Sequence, residues 1–170
     1  MRRVRPEDWE VLRHVRLTAL ADAPHAFGST YAAEVGCGEE HWRGRAADAA
    51  AGTRVAMFLA WIDDDAVGIV GGFRPSPEVA VVELVSMWTS AAVRGAGIGR
   101  RLVDAVIDWA RQTGADRVDL WVTRGNDAAD HLYGSIGFEV TGDHQPLPSD
   151  PCKDEVRMRL PLRAPDRPTG

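Results

Sequence analysis

The chain has 170 residues, 45% of them hydrophobic and 26% charged, and carries a net charge of −5. That length and balance suit one domain with its own apolar core, and exclude a disordered chain, a collagen or a coiled coil. No apolar run reaches the roughly 18 residues of a membrane span, and the acidic surplus argues against a dedicated nucleic-acid binder.

Arginines near the N-terminus have no apolar stretch behind them, so no signal peptide is expected. Cys37 and Cys152 are too few for a disulfide framework. Free thiols in a reducing, cytoplasmic setting are the expectation.

Val4 and its neighbours predict a short first strand. Pro6-Glu7-Asp8 suits a helix start, where the macrodipole favours acids. Val11, Leu12, Val15 and Ala19 continue it at helical spacing, and Pro24 ends it. His25 to Gly38 reads as irregular, and Glu39 to Ala51 as a second helix. Three strand-like runs follow: Val55 to Ile62, Ala66 to Phe73 and Val79 to Thr89. Their short connections predict an antiparallel meander.

Beyond Thr89 the period changes. Ile98, Leu102, Val103, Val106, Trp109 and Ala110 form the apolar side of an amphipathic helix ending at Gly114. Val118, Leu120 and Val122 alternate as a strand. Asn126 or Asp127 can cap a short helix that Gly137 stops near Ile136. Two more strands follow, Phe138 to Thr141 and Glu155 to Leu160, separated by a proline-bearing loop, Asp143 to Asp154. Residues 1–162 read as one domain and 163–170 as a polar, frayed tail. The class is α/β (α+β), with helices packed on a mixed, mostly antiparallel sheet.

The most informative segment is Arg94-Gly95-Ala96-Gly97-Ile98-Gly99-Arg100, between a strand and the amphipathic helix. Glycines let a backbone turn tightly and approach a ligand, and a helix start offers unpaired N–H groups and a positive dipole end. Together they suit phosphate, with Arg94 and Arg100 adding charge-assisted hydrogen bonds. A P-loop would need Lys-Ser/Thr after Gly99, where this chain has Arg100-Arg101. A dinucleotide fingerprint would need a wider glycine spacing and a parallel βαβ unit.

This loop resembles the pyrophosphate-binding signature of the GCN5-related N-acetyltransferases. A second segment, Asn126, Ala129, Leu132-Tyr133 and Gly137-Phe138, is similar to that family's downstream motif at the same spacings. Leu20 to Tyr31 also looks like a stretch found in many bacterial members. The resemblance implies a sheet of six to seven strands with about four helices, and acetyl-CoA as co-substrate.

It implies further that the loop from Gly95 to Arg100 holds the diphosphate and that Met87, Trp88 and Thr89 pair with the pantetheine arm. The strand carrying them usually bulges and splays from the next, and an amide near Trp88 would stabilise the oxyanion. Asn126 and Ala129 belong to the same coenzyme site, Asn126 either bonding pantetheine or simply capping its helix.

By its motif position Tyr133 is the acid that protonates the departing thiolate, unless it only packs helix to sheet. Glu83 is the candidate base or an ordinary charged residue near the cleft. On an alternating strand Leu84, Ser86 and Trp88 would share one face. Glu34 is a second choice of base and, with Phe27 and Tyr31, a candidate for acceptor binding. His25 and Trp42 either shape that pocket or cap the core, and His131 reads as surface or packing. No cluster has metal-ligand spacing, so no metal is expected. The acceptor implied is a small-molecule or peptide amine. A homodimer is compatible with the family, and a catalytically silent acyl-CoA sensor is the competing reading.

Overall fold

A computed structural model describes residues 1–76 and 78–162. The expected 163–170 tail and Pro77, in the expected Pro75–Pro77 turn, lie outside the described residues.

The elements are β1 (Arg2–Arg3), α1 (Trp9–Asp22), α2 (Tyr31–Val35), α3 (Glu39–Ala51), β2 (Val55–Ile62), β3 (Asp65–Phe73) and β4 (Val81–Thr89), then α4 (Ile98–Gln112), β5 (Arg117–Thr123), α5 (Asp127–Ile136), β6 (Glu139–Leu147) and β7 (Asp150–Pro161). The sheet has seven strands in the order β1-β2-β3-β4-β5-β7-β6. All neighbours are antiparallel except β4 and β5. The expected mixed sheet and its β2–β3–β4 meander are present.

Alternation along each strand divides the apolar residues between two faces. On one face Ala56, Val70, Val82, Leu84, Val118 and Leu120 meet the apolar side of α4, including Leu102, Val106 and Trp109. On the other, Met57, Leu59, Ile69 and Trp88 meet Leu12, Val15 and Ala19 of α1 and Trp42 and Ala46 of α3. Burying a side chain such as Leu102 or Leu12 contributes about 1.5–3 kcal/mol, so each face is a substantial core.

Two stretches depart from expectation. Within His25 to Gly38 a short helix forms, because the Thr30 side chain accepts a hydrogen bond from the Ala33 N–H. The segment read as a loop from Asp143 to Asp154 is a hairpin in which β6 pairs with β7. Its prolines suggested a loop, but β6 is the edge of the sheet, where prolines are tolerated. Pro151 lies where β7 has run past β5 and pairs with β6 alone.

Candidate functional site

The parallel pairing of β4 with β5 runs from Val81 to Leu84 against Arg117 to Leu120 and stops there. Toward β3, the register jumps from Gly71↔Val85 to Ile69↔Trp88, so Ser86 and Met87 together oppose the single Val70. This is a β-bulge, with Ser86 in the left-handed region at φ 57°. The expected alternation therefore breaks. Leu84 belongs to the α4-side core and Trp88 to the α1-side core, although four residues separate them. Beyond Leu84 the two strands no longer pair, and β4 has an edge available to an extended ligand.

A cleft of about 750 Å³ opens at this split, lined by Leu84 to Thr89 of β4, Trp121 to Thr123 of β5, the glycine loop and α5. It brings together Met87, Trp88, Thr89, Arg94, Gly95, Gly97, Gly99, Arg100, Asn126, Ala129 and Tyr133. Ala96 and Ile98 are not among its lining residues; Ile98 instead packs against the α4-side core.

The glycines serve different needs. Gly95 and Gly97 have φ of 83° and 75°, a conformation that disfavours any side chain. Gly99 needs space, because a Cβ there would stand 3.3 Å from Met87 Cε and 3.4 Å from Leu132. The first bond of α4 runs from the Arg101 N–H to the Gly97 carbonyl at 3.2 Å. Among the described residues, the Ile98, Gly99 and Arg100 amides have no backbone partner, and they point the positive end of the helix at the cleft. Arg94 donates to Asp22 at 2.7 Å, and Arg100 to the Ser135 carbonyl at 3.3 Å.

Asn126 caps α5 by accepting the Ala129 N–H at 3.2 Å and also lines the cleft. Tyr133, 6% exposed, packs edge-to-face on Phe138 with 5.6 Å between ring centroids. Among the described residues nothing hydrogen-bonds its hydroxyl. Burial alone pushes the phenol well above its ordinary range, so it stays protonated at neutral pH. His131, read as surface or packing, is exposed and lines the cleft.

The acceptor-side expectations fare differently. Glu34 is 8% exposed, takes a forked hydrogen bond from Arg16 at 2.7–3.2 Å and is bridged by Arg45 at 3.0 Å. These guanidiniums outweigh the cost of burial and hold its carboxyl at about 2. Both of its carboxylate oxygens are thus engaged by arginines, where a free carboxylate was expected. Phe27 is buried beneath the Arg16 guanidinium, 4.9 Å from its ring centroid. Tyr31 is 45% exposed and lines a separate groove along α1. Trp42 is core. His25 faces Asp150 at 3.6 Å, and its carbonyl accepts from Thr123. Glu83, half-buried between Phe73 and Asp119 in register, is not among the cleft-lining residues.

Sequence reasoning missed Arg16, Asp22, Ser86 and Trp121. Arg16 left a signal: it stands four residues from both Leu12 and Leu20, on the buried stripe of α1. Ser86 left none, since a bulge is decided by pairing.

No helix among the described residues is long and apolar enough to cross a membrane, and no group of three or more acidic, histidine or cysteine side chains could hold a metal.

The chain is similar to known proteins. The chain is 41% identical over 78 residues to the uncharacterized N-acetyltransferase YobR of Bacillus subtilis, covering 46% of this chain and 28% of that protein. It is 32% identical over 88 residues to mycothiol acetyltransferase of Beutenbergia cavernae, covering 52% of this chain and 30% of that one. The chain thus spans less than a third of these relatives' length. The structure of yncA from Salmonella typhimurium with its cofactor acetyl-CoA superposes with a TM-score of 0.76 at 19% identity, covering 99% of this chain and 96% of that one. The model of the acetyltransferase (GNAT) family matches residues 16–138, the span that holds the bulge, the glycine loop and Tyr133, and the chain belongs to that family.

Proposed function

We propose that this chain is an acetyl-CoA-dependent N-acetyltransferase in which a primary amine attacks the thioester directly in a ternary complex. The observation that carries this reading is the split between β4 and β5, with the glycine loop at one end of the cleft and Tyr133 beside it. The diphosphate takes the free amides at the start of α4 together with Arg94 and Arg100. Pantetheine runs along the unpaired edge of β4 from Met87 to Thr89, with Asn126 and Ala129 across from it. Binding of acetyl-CoA by the structurally similar yncA supports this placement.

In the transfer, the neutral amine nitrogen bonds to the carbonyl carbon, the C–S bond breaks, the thiolate takes the Tyr133 proton, and the second proton that the nitrogen sheds as the amide forms returns to the tyrosinate. Desolvation in the cleft raises the thiolate's affinity for a proton along with that of the phenol, so the phenol's shift alone does not set the mismatch between donor and acceptor. Glu83 lies outside the cleft lining, and its part is to draw the ammonium proton away along ordered water. The acceptor is a small-molecule or peptide amine. The whole chain to residue 162 acts as one domain, in the cytoplasm, without nucleic acid or membrane, as a monomer or homodimer.

The deciding experiment is release of free coenzyme A thiol from acetyl-CoA against a panel of amines and peptides. Release that depends on the amine and falls in Tyr133→Phe supports transfer. Tight acetyl-CoA binding without release for any amine would instead favour an acyl-CoA sensor.

A further inference from the structure

Among the described residues two non-glycines have positive φ: Asp63, in the turn between β2 and β3, and Ser86, inside β4. A turn accommodates such a residue readily. A strand does not, and a left-handed serine inside one persists only where its surroundings hold it.

What surrounds Ser86 is unusual. Arg16, 5% exposed on α1, donates from Nη1 to the Ser86 hydroxyl at 3.3 Å. The rest of its guanidinium makes two further contacts. Nε and Nη2 fork onto Glu34 of α2, and the plane lies over Phe27. Arg45 of α3 closes the far side of Glu34. Three helices thus converge on one hydroxyl of β4, at the bulge where the strand breaks register with β3, just beyond the end of its pairing with β5. A buried arginine carries a large desolvation cost that only full partnering offsets. A pairing used only to join helices could be replaced by apolar side chains, as the rest of this face is.

We propose that Arg16, locked by Glu34, is a positioning residue: it holds Ser86 in its left-handed conformation and so aims the bulged backbone of β4 at the thioester oxygen. The catalytic consequence rests on the acetyltransferase reading above. The hold on the bulge does not. Arg16 is not among the cleft-lining residues; it acts through Ser86, which is.

Glycine supplies the test, because it adopts positive φ without being held. The paired change Arg16→Met with Glu34→Gln removes the buried charge pair together and leaves unpaired only Arg45, whose side chain is part-exposed. It should lower kcat at least about ten-fold, since a slightly misplaced oxyanion donor is costly, while the KM for acetyl-CoA moves less than about three-fold. In the Ser86→Gly background the same pair should cost less than about two-fold. Equal losses in the two backgrounds would overturn the proposal. Should the paired variant fail to fold, Arg16→Lys keeps the charge but cannot reach Glu34 and Ser86 together, and takes its place in the same cycle.

A second readout needs no turnover. The ¹³Cα and ¹³Cβ shifts of Ser86 report its backbone conformation in the free protein, and they should leave left-handed values in the Arg16 variants. Unchanged shifts would overturn the proposal even where kcat falls. A wild-type protein that transfers no acetyl group overturns the enzyme reading and the catalytic consequence; the shifts still decide whether Arg16 sets the bulge.

Discussion

The Asp22 carboxylate lies 2.7 Å from the Arg94 guanidinium, joining the end of α1 to the glycine loop across the mouth of the cleft. The same oxygen accepts the Trp88 indole N–H at 2.9 Å. Both partners are largely solvated, so the pair is worth at most about 1 kcal/mol. A diphosphate carries more charge and should draw Arg94 away. Arg94→Ala should raise the KM for acetyl-CoA about ten-fold or more with little change in kcat. Asp22→Asn should lower that KM by up to about five-fold. Steady-state kinetics at fixed ionic strength read both, and a raised KM for Asp22→Asn would show that the carboxylate preorganises Arg94 and does not compete for it.

Tyr133→Phe removes one hydroxyl and leaves the packing on Phe138 intact. It should lower kcat by about 10²–10⁴-fold while acetyl-CoA binding, measured by calorimetry, is retained. Because burial raises this phenol, its ionisation should contribute no alkaline fall in kcat below pH 10. Such a fall that disappears in Tyr133→Phe would contradict the assignment.

Glu34 is held at about 2, against an ordinary value of 4.5. A carboxyl depressed on folding contributes stability that is whole above its unfolded pKa and lost as pH falls through its folded one. Its contribution, of order 3 kcal/mol at most, should therefore disappear between about pH 4.5 and pH 2. Urea melts of the wild type and of Glu34→Gln should differ most near neutrality and converge toward pH 2. Parallel curves across that window would contradict the buried pair.

Gly72 lies under Trp109, where an added Cβ would come within 2.7–2.8 Å of the ring. Gly72→Ala should destabilise the fold by about 1–3 kcal/mol through overpacking. The shift should appear in thermal melts, with KM for acetyl-CoA nearly unchanged because Gly72 is not among the cleft-lining residues.

Local signals in the chain carried much of this molecule. The period of Leu102, Val103, Val106, Trp109 and Ala110 gave α4 and its buried side, and Asn126 and Gly137 gave both ends of α5. Edge prolines misled at the β6–β7 hairpin, because a proline's meaning depends on whether its strand has a neighbour. Glu34 misled for a related reason. An acidic residue in a loop suggests a free carboxylate, and only the approach of Arg16 and Arg45 from other helices shows that it is not one.

By itself the amino-acid sequence determined an acidic chain of one domain's length with a run of glycines and arginines at a helix start. Arg94, Gly95, Gly97, Gly99 and Arg100 lie in one short run of the chain, and an anion site at a helix start is built from adjacent amides. Only the tertiary structure decided how β4 separates from β5, where Ser86 bulges, and which charges are buried. Those depend on pairing register and on contacts such as Arg16 to Ser86, whose partners lie far apart in the chain and meet only when the helices pack on the sheet.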